Sequence, residues 1–265
     1  VTEATPTPPV GGRIVQRLSK AVDHRRHRLD RWLFAAPLCW WTIRPWMLTS
    51  SGHRLATRLR LQEAEHQFGR LLHLRSIFED IAKHRLPGDF VEFGTYQGFS
   101  LAWLHLFRTS VGLGSRRLIG VDSFKGLPTS STVWHQGQFS DSSVSTVCAN
   151  LLRYHHLRDL SAVNLHLIEG LFEAPEVRAQ LTALTSNIVL AHLDCDLGSS
   201  CDAALDLLDR ATLAPTAYLA FDDWGCHVDE IPASFERYQA RHPELSFEVQ
   251  ATTTYTRYFR CTRIR

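Results

Sequence analysis

From about residue 86 onward, short apolar runs alternate with amphipathic stretches. Runs rich in Val, Ile, Leu and Phe predict strands near 90–93, 117–122, 164–168, 187–194 and 215–222. Helical spacing of apolar positions predicts helices near 98–108, 143–156, 174–184, 200–211 and 230–241. Two late runs, near 245–250 and 254–262, have only ATTT between them. That connection is too short for a crossover, so the two should pair antiparallel. Repeated β–α units predict a doubly wound, mostly parallel sheet. Upstream, residues 53–85 carry Leu55, Leu59, Phe68, Leu71, Leu72, Ile77, Phe78 and Ile81 at helical spacing, and LPGD at 86–89 ends that helix. No internal repeat or second folded domain is visible in this pattern.

The first third of the chain is patterned differently. Residues 1–12, VTEATPTPPVGG, read as a disordered lead without a secretory signal pattern. Residues 13–31 are basic, with Arg13, Arg17, Lys20, Arg25, Arg26, Arg28 and Arg31 against Asp23 and Asp30. Residues 32–48, WLFAAPLCWWTIRPWML, hold four of the seven tryptophans. A bilayer span needs about 20 apolar residues. This run is shorter, contains Arg44 and is interrupted by Pro37 and Pro45. The readings left are a lid over an active site, an oligomer contact or an interfacial anchor, and packing against protein is preferred over membrane. The expected organisation is therefore a lead at 1–12, a helical, Trp-rich extension at 13–85, and a catalytic domain at 86–265.

Composition narrows the function classes. A chain of 265 residues is long enough for one large α/β domain with a full core. A net charge of +2 without a basic tail gives no push toward nucleic acid. The six cysteines, Cys39, Cys148, Cys195, Cys201, Cys226 and Cys261, form no CxxC pair and read as reduced thiols, which suits a cytoplasmic location. Zinc held by Cys195, Cys201, Cys226 and His227 fits no standard spacing, and small residues packed at strand ends are the simpler account.

The chemistry concentrates where strands should end, which is where such sheets bind ligands. The first strand leads into VEFGTYQGFS, 91–100, where Gly94 and Gly98 frame a tight strand-to-helix turn. Lacking Cβ atoms, the turn would let a cofactor approach closely. The pattern is not G-x-G-x-x-G, and Glu92 beside it would repel phosphate and attract a cation. Asp122 ends the second strand in GVDSFKGLP, 120–128, placed to bond ribose hydroxyls; alone it would read as a turn acid. An adenosine cofactor with no phosphate and a positive centre, S-adenosylmethionine, fits both turns. Thr95, Tyr96, Ser100 and Ser123 lie on the same turns as further cofactor-binding candidates. Two later strands end in acid pairs, HLDCDLGSS at 192–200 and FDDW at 221–224. Buried carboxylates are costly unless something pairs with them.

Together GDFVEFGTYQGFS, VDSFKGLP, HLDCDLGSS and FDDW resemble the macrocin O-methyltransferase (TylF-like) family over about residues 86–262. The resemblance implies a class I, Rossmann-like seven-stranded sheet with its last strand antiparallel. It implies an S-adenosylmethionine-dependent O-methyltransferase, in many members acting on sugar hydroxyls of antibiotics, and a divalent metal, usually Mg²⁺. The family's metal ligands match Asp194, Asp222 and Asp223, and its general base matches Asp196. If the strand continues, the two-residue offset points Asp194 and Asp196 the same way. The expected chemistry is methyl transfer to a hydroxylated, glycosylated small molecule, with Mg²⁺ as Lewis acid and Asp196 taking the proton. His192 and His227 flank the acids as alternative bases, although His192 is expected within the strand core. A homo-oligomer is expected, with neither nucleic acid nor membrane as partner. Two other classes compete: a non-methylating enzyme on the same scaffold, and a non-catalytic membrane-associated binding protein. One departure stands out. The family commonly carries D-L-Y-x-S-T where this chain has Gly198 in place of Tyr, and the missing ring is expected to open space near the metal.

Overall fold

The structure is a computed structural model describing residues 58, 62–210, 213–225, 230–253 and 255–264. The expected lead, the Trp-rich segment 32–48, Cys39, Cys226 and His227 lie outside the described residues. The chain divides into two compact units, Val1–Phe68 and Gly69–Arg265. The second holds every strand.

Helix α1 spans Gln62–Lys83. Strand β1 (Asp89–Phe93), helix α2 (Phe99–Ser110), β2 (Leu118–Asp122), α3 (Val144–His155), β3 (Leu165–Glu169), α4 (Pro175–Leu184) and β4 (Ile188–Leu193) follow in alternation. The chain continues through α5 (Gly198–Arg210), β5 (Leu213–Phe221), α6 (Glu230–Arg241), β6 (Leu245–Thr252) and β7 (Arg257–Arg263). One sheet contains all seven strands in the order β3-β2-β1-β4-β5-β7-β6. Only β7 runs against its neighbours, pairing antiparallel with both β5 and β6. The expected seven-stranded, mostly parallel sheet with an antiparallel last strand is present.

The burial pattern explains why the apolar runs were legible. Every residue of β4, IVLAHL, is buried, as a central parallel strand covered by helices on both faces requires. The sheet edge β6 is half-exposed and alternates, as an edge strand should. In α1, Leu71, Leu74, Ile77, Phe78 and Ile81 are buried, with Phe78 packing on Phe90 at a ring separation of 4.7 Å. Leu72, expected on that face, is 48% exposed. Residues 69–83, expected to belong to an extension, thus pack as part of the sheet's own unit.

The chain leaves β1 toward β2 and β3 on one side, then crosses to β4 and β5 on the other. The strand order therefore reverses between β1 and β4, and a crevice opens at their carboxyl ends. The quoted motifs all fall there.

Candidate active site

The first wall of the crevice is the turn between β1 and α2. Gly94 has φ of 91°, and a Cβ placed there would overlap the carbonyl oxygen of Asp194. Gly98, at φ of 86°, would place a Cβ 2.8 Å from Cγ1 of Val147. Both glycines are thus required by the protein's own packing as well as by their left-handed backbone. The sequence argument had ascribed them to a cofactor's approach. Thr95 is buried, and its Oγ1 has no hydrogen-bond partner among the described residues. Ser100 is buried in the first turn of α2.

Asp122 ties this turn to the next. Its Oδ2 accepts from the Tyr96 amide at 2.7 Å and its Oδ1 from the Phe124 amide at 2.7 Å. It therefore acts as a turn acid, and each oxygen keeps acceptor capacity beyond that one bond. Ser123 builds the same loop, its Oγ accepting from the Lys125 amide and donating to the Gly126 carbonyl. The Tyr96 hydroxyl donates to Asp141 at 2.8 Å, and its ring meets Phe139, which meets Trp134. This aromatic loop borders the glycine turn.

The second wall is acidic. The Asp194 amide donates to the Phe93 carbonyl at 2.9 Å, and the Asp222 amide to the Leu193 carbonyl at 2.8 Å. The ladder thus carries both acids just past the strand ends, side by side. Strand β4 stops at Leu193, and Asp196 has φ of 59°. The expectation that a continuing strand aligns Asp194 with Asp196 therefore fails. The backbone turns instead, and Asp196 reaches the cluster through a left-handed conformation that Asp tolerates better than most residues. Asp223 also has a positive φ, 56°. Burial, then the neighbouring acids, push the Asp194 carboxyl well above its ordinary range. Asp196 is raised by burial, then by Asp194, Asp222 and Asp122. Trp224 seats the FDDW turn by packing among Phe221, Phe235 and Phe259, and its indole lies under the Arg257 guanidinium.

A cation the sequence reading missed enters from α1. The Nη1 of Arg70 donates to Asp194 Oδ2 at 2.8 Å and also to Asp222 Oδ2. The Arg70 side chain is 5% exposed. Burial alone would depress this guanidinium, but Asp222 and Asp194 outweigh it and hold it above its ordinary value. Behind the acids, His192 and Glu92 are register partners on β4 and β1. Their Nδ1 and Oε1 lie 3.0 Å apart, with side chains 1% and 0% exposed. His192 is in the strand core, as expected. One potential ligand atom each from His192, Asp194 and Asp222 lie within 4.8 Å of one another. Asp223 is not in that group.

At Gly198 the structure corrects the sequence argument. The space of the missing ring is not open, because a Cβ there would lie 2.8 Å from Cβ of Glu230. Glu230 Oε2 accepts from the Gly198 amide at 3.1 Å, and Ser234 donates to its carbonyl at 3.0 Å. A carboxylate stands where an aromatic ring was expected to be missed. The four described free cysteines, Cys148, Cys195, Cys201 and Cys261, form no disulfide. Burial pushes the Cys195 and Cys201 thiols well up, as suits packed, inert side chains.

The strand order, the glycine turn and the acids at the reversal define the class of enzyme built on the methyltransferase sheet. The macrocin-O-methyltransferase (TylF) family model matches residues 66–260, and the chain belongs to that family of S-adenosylmethionine-dependent O-methyltransferases. No curated protein sequence matches it. Among solved structures it is similar to the O-methyltransferase NovP, with 20% identity over 75% of this chain and 81% of that one and a TM-score of 0.61. It is also similar to the calicheamicin methyltransferase CalS11, with 20% identity over 85% and 93% and a TM-score of 0.57. The apo form of CalS11, described as a TDP-rhamnose 3'-O-methyltransferase of calicheamicin biosynthesis, gives 19% identity over 90% and 93% and a TM-score of 0.54. At these identities the likeness is one of fold.

Proposed function

We propose that this enzyme methylates a sugar hydroxyl of a secondary metabolite, with S-adenosylmethionine on the glycine turn and a divalent cation among the acids. The carrying observation is that the two walls touch, since Gly94 packs against the Asp194 carbonyl. Donor and acceptor sites built on them are neighbours. The sugar is supported by family membership and by the TDP-rhamnose 3'-O-methyltransferase activity of the CalS11 neighbour.

In this reading Glu92, Gly94, Thr95, Tyr96, Gly98, Ser100, Asp122 and Ser123 shape the cofactor side. Asp122 bonds the ribose with its remaining lone pairs, while its amide bonds keep the two loops in register. The buried Thr95 hydroxyl is available to a bound ligand. S-adenosylmethionine supplies an already electrophilic methyl group. Asp194, Asp222 and Asp223 hold the cation, for which Mg²⁺ is the ion a carboxylate set favours. When bound, the ion supplies Lewis-acid stabilisation of negative charge at the acceptor oxygen. The residues fit this, because Asp194, Asp196, Asp222 and Asp223 outnumber the positive charge that Arg70 brings. Asp196 takes the hydroxyl proton onto its carboxylate. Transfer would require the acceptor oxygen to lie in line with the methyl group and sulfur, which the two adjoining walls would have to impose. The enzyme would act in the cytoplasm as a homo-oligomer.

Arg70 favours a second reading, in which the guanidinium itself supplies the positive charge that stabilises the acceptor oxygen and no metal is needed. Incubating the full chain with labelled S-adenosylmethionine and a panel of nucleotide-activated and glycosidic sugars tests both. Methyl transfer to at least one sugar hydroxyl is expected. Cofactor binding without transfer to any sugar would overturn the acceptor class.

A further inference from the structure

We infer that His192 is a metal ligand, aimed by Glu92, and that its nitrogen makes the cation site prefer a first-row transition ion such as Mn²⁺ over Mg²⁺. This rests on the divalent cation proposed above.

The argument begins with a costly pair. Glu92 and His192 are register partners on the two central strands, and both are fully desolvated. A buried carboxylate there needs a donor, and the one provided is Nδ1 of His192 at 3.0 Å. The second oxygen, Oε2, is buried with no hydrogen-bond partner. Accepting the Nδ1 proton fixes the imidazole tautomer, which leaves the lone pair on Nε2. A ring nitrogen of His192 lies within 4.8 Å of carboxylate oxygens of both Asp194 and Asp222. Ligand atoms around one ion with bonds of about 2.1 Å span up to roughly 4.2 Å, so a small side-chain adjustment closes the group. A metal-binding His whose other nitrogen donates to a carboxylate is a recurring arrangement, and the carboxylate orients the ring and raises its basicity.

The pair also has a chemical consequence. Mg²⁺ is satisfied by carboxylate and water, and gains little from imidazole. Nitrogen ligation favours Mn²⁺ through Zn²⁺ in the usual affinity order. Arg70 shares the same two carboxylates and remains as the second positive charge beside the ion.

The test uses the full chain, stripped with a chelator and loaded with Mn²⁺ alone. Pulsed electron paramagnetic resonance should show a directly bonded ¹⁴N, replaced by ¹⁵N couplings in uniformly labelled protein. Competition should show Mn²⁺ bound at least tenfold more tightly than Mg²⁺. In His192→Asn the nitrogen coupling should vanish and the preference should collapse. In Glu92→Gln the coupling should persist while Mn²⁺ affinity falls about 10–100-fold, the usual effect of removing a ligand's orienting partner. Mn²⁺ bound without nitrogen coupling in the unmodified protein overturns the inference and leaves the cation reading intact. Failure of both ions to bind overturns the cation reading itself. The unmodified protein decides between these results even if a variant does not fold.

Discussion

At the scale of single residues, the site depends on side chains held in costly conformations or environments. Gly94 is the clearest case, because any Cβ meets the Asp194 carbonyl and the φ of 91° is left-handed. Gly94→Ala should destabilise the fold by roughly 3 kcal/mol or more, combining backbone strain with overpacking. Urea denaturation would read this, and an unchanged midpoint would show that the turn relaxes freely. Asp122→Ala removes the acceptor of two loop amides as well as the proposed ribose contact. Its expected cost to S-adenosylmethionine binding is about 1–3 kcal/mol, the scale of hydrogen bonds to a charged group. Calorimetry giving unaltered affinity would take Asp122 out of the site. Asp196→Asn should keep cation binding and lower turnover by roughly 10²–10⁴, the range for a general base. These residues were legible in sequence because an acid or glycine after an apolar run is conspicuous. Arg70 was not. It lies 124 residues from Asp194, and nothing local marks one of the two arginines of α1 as the buried one. The demand that four acids be neutralised was recognised, but only a metal was considered as the answer.

At the scale of elements, the parallel strands β1 to β5 were read to within two residues, since buried parallel strands are near-continuous apolar runs, while β7 starts three residues later than expected. The turn after β4 was misread. Period-2 reasoning assumes that a strand continues, whereas Leu197 donates its amide to the Cys195 carbonyl at 2.6 Å and the chain reverses. Glu230 was invisible for another reason, since its partner Gly198 belongs to a different β–α unit. Helix α1 couples the two scales by inserting Arg70 between Asp194 and Asp222. Removing one partner of a buried ion pair typically costs about 3–5 kcal/mol. Arg70→Ala should show that loss in thermal melts without divalent ions, and added Mg²⁺ or Mn²⁺ should restore much of it. A loss that no divalent ion recovers would argue against a shared site. Helix α2 carries a pH-dependent fastening. His105 is drawn down to about 4, first by burial, then by Arg108 and His155. Its Nδ1 faces Nη2 of Arg108 at 3.1 Å, and the same guanidinium donates to the Arg116, Val163 and Asn164 carbonyls. The folded state therefore favours neutral imidazole. That contribution is complete above the unfolded pKa of about 6.5 and is lost as pH falls toward 4. Denaturation midpoints should decline across this window, and less steeply in His105→Gln.

At the scale of the whole molecule, the sheet order brings the glycine turn and the acids together without any contact between their sequences. That juxtaposition follows from the reversal between β1 and β4, which a doubly wound reading anticipates. Among the described residues no helix is long and apolar enough to cross a membrane. The two walls share backbone contacts, but the side chains of Asp122 and of Asp194 and Asp222 are held by different partners, so their functions should separate. Asp122 is held by amides of the glycine loop, whereas Asp194 and Asp222 are held by Arg70. Removing divalent ions therefore disturbs one wall and leaves the other standing. EDTA should abolish methyl transfer while S-adenosylmethionine still binds with nearly the same affinity, and excess Mg²⁺ or Mn²⁺ should restore turnover. Arg70 sharpens the meaning of this experiment. If the guanidinium were the working cation, EDTA would leave the rate unchanged, and Arg70→Lys, whose ammonium has a different reach and geometry from the Nη1 that serves both carboxylates, would abolish it. If the ion does the work, Arg70→Lys should retain part of the activity and EDTA none. Full activity in EDTA, with no metal found by elemental analysis, would assign the acids to Arg70 and withdraw the metal from the reaction.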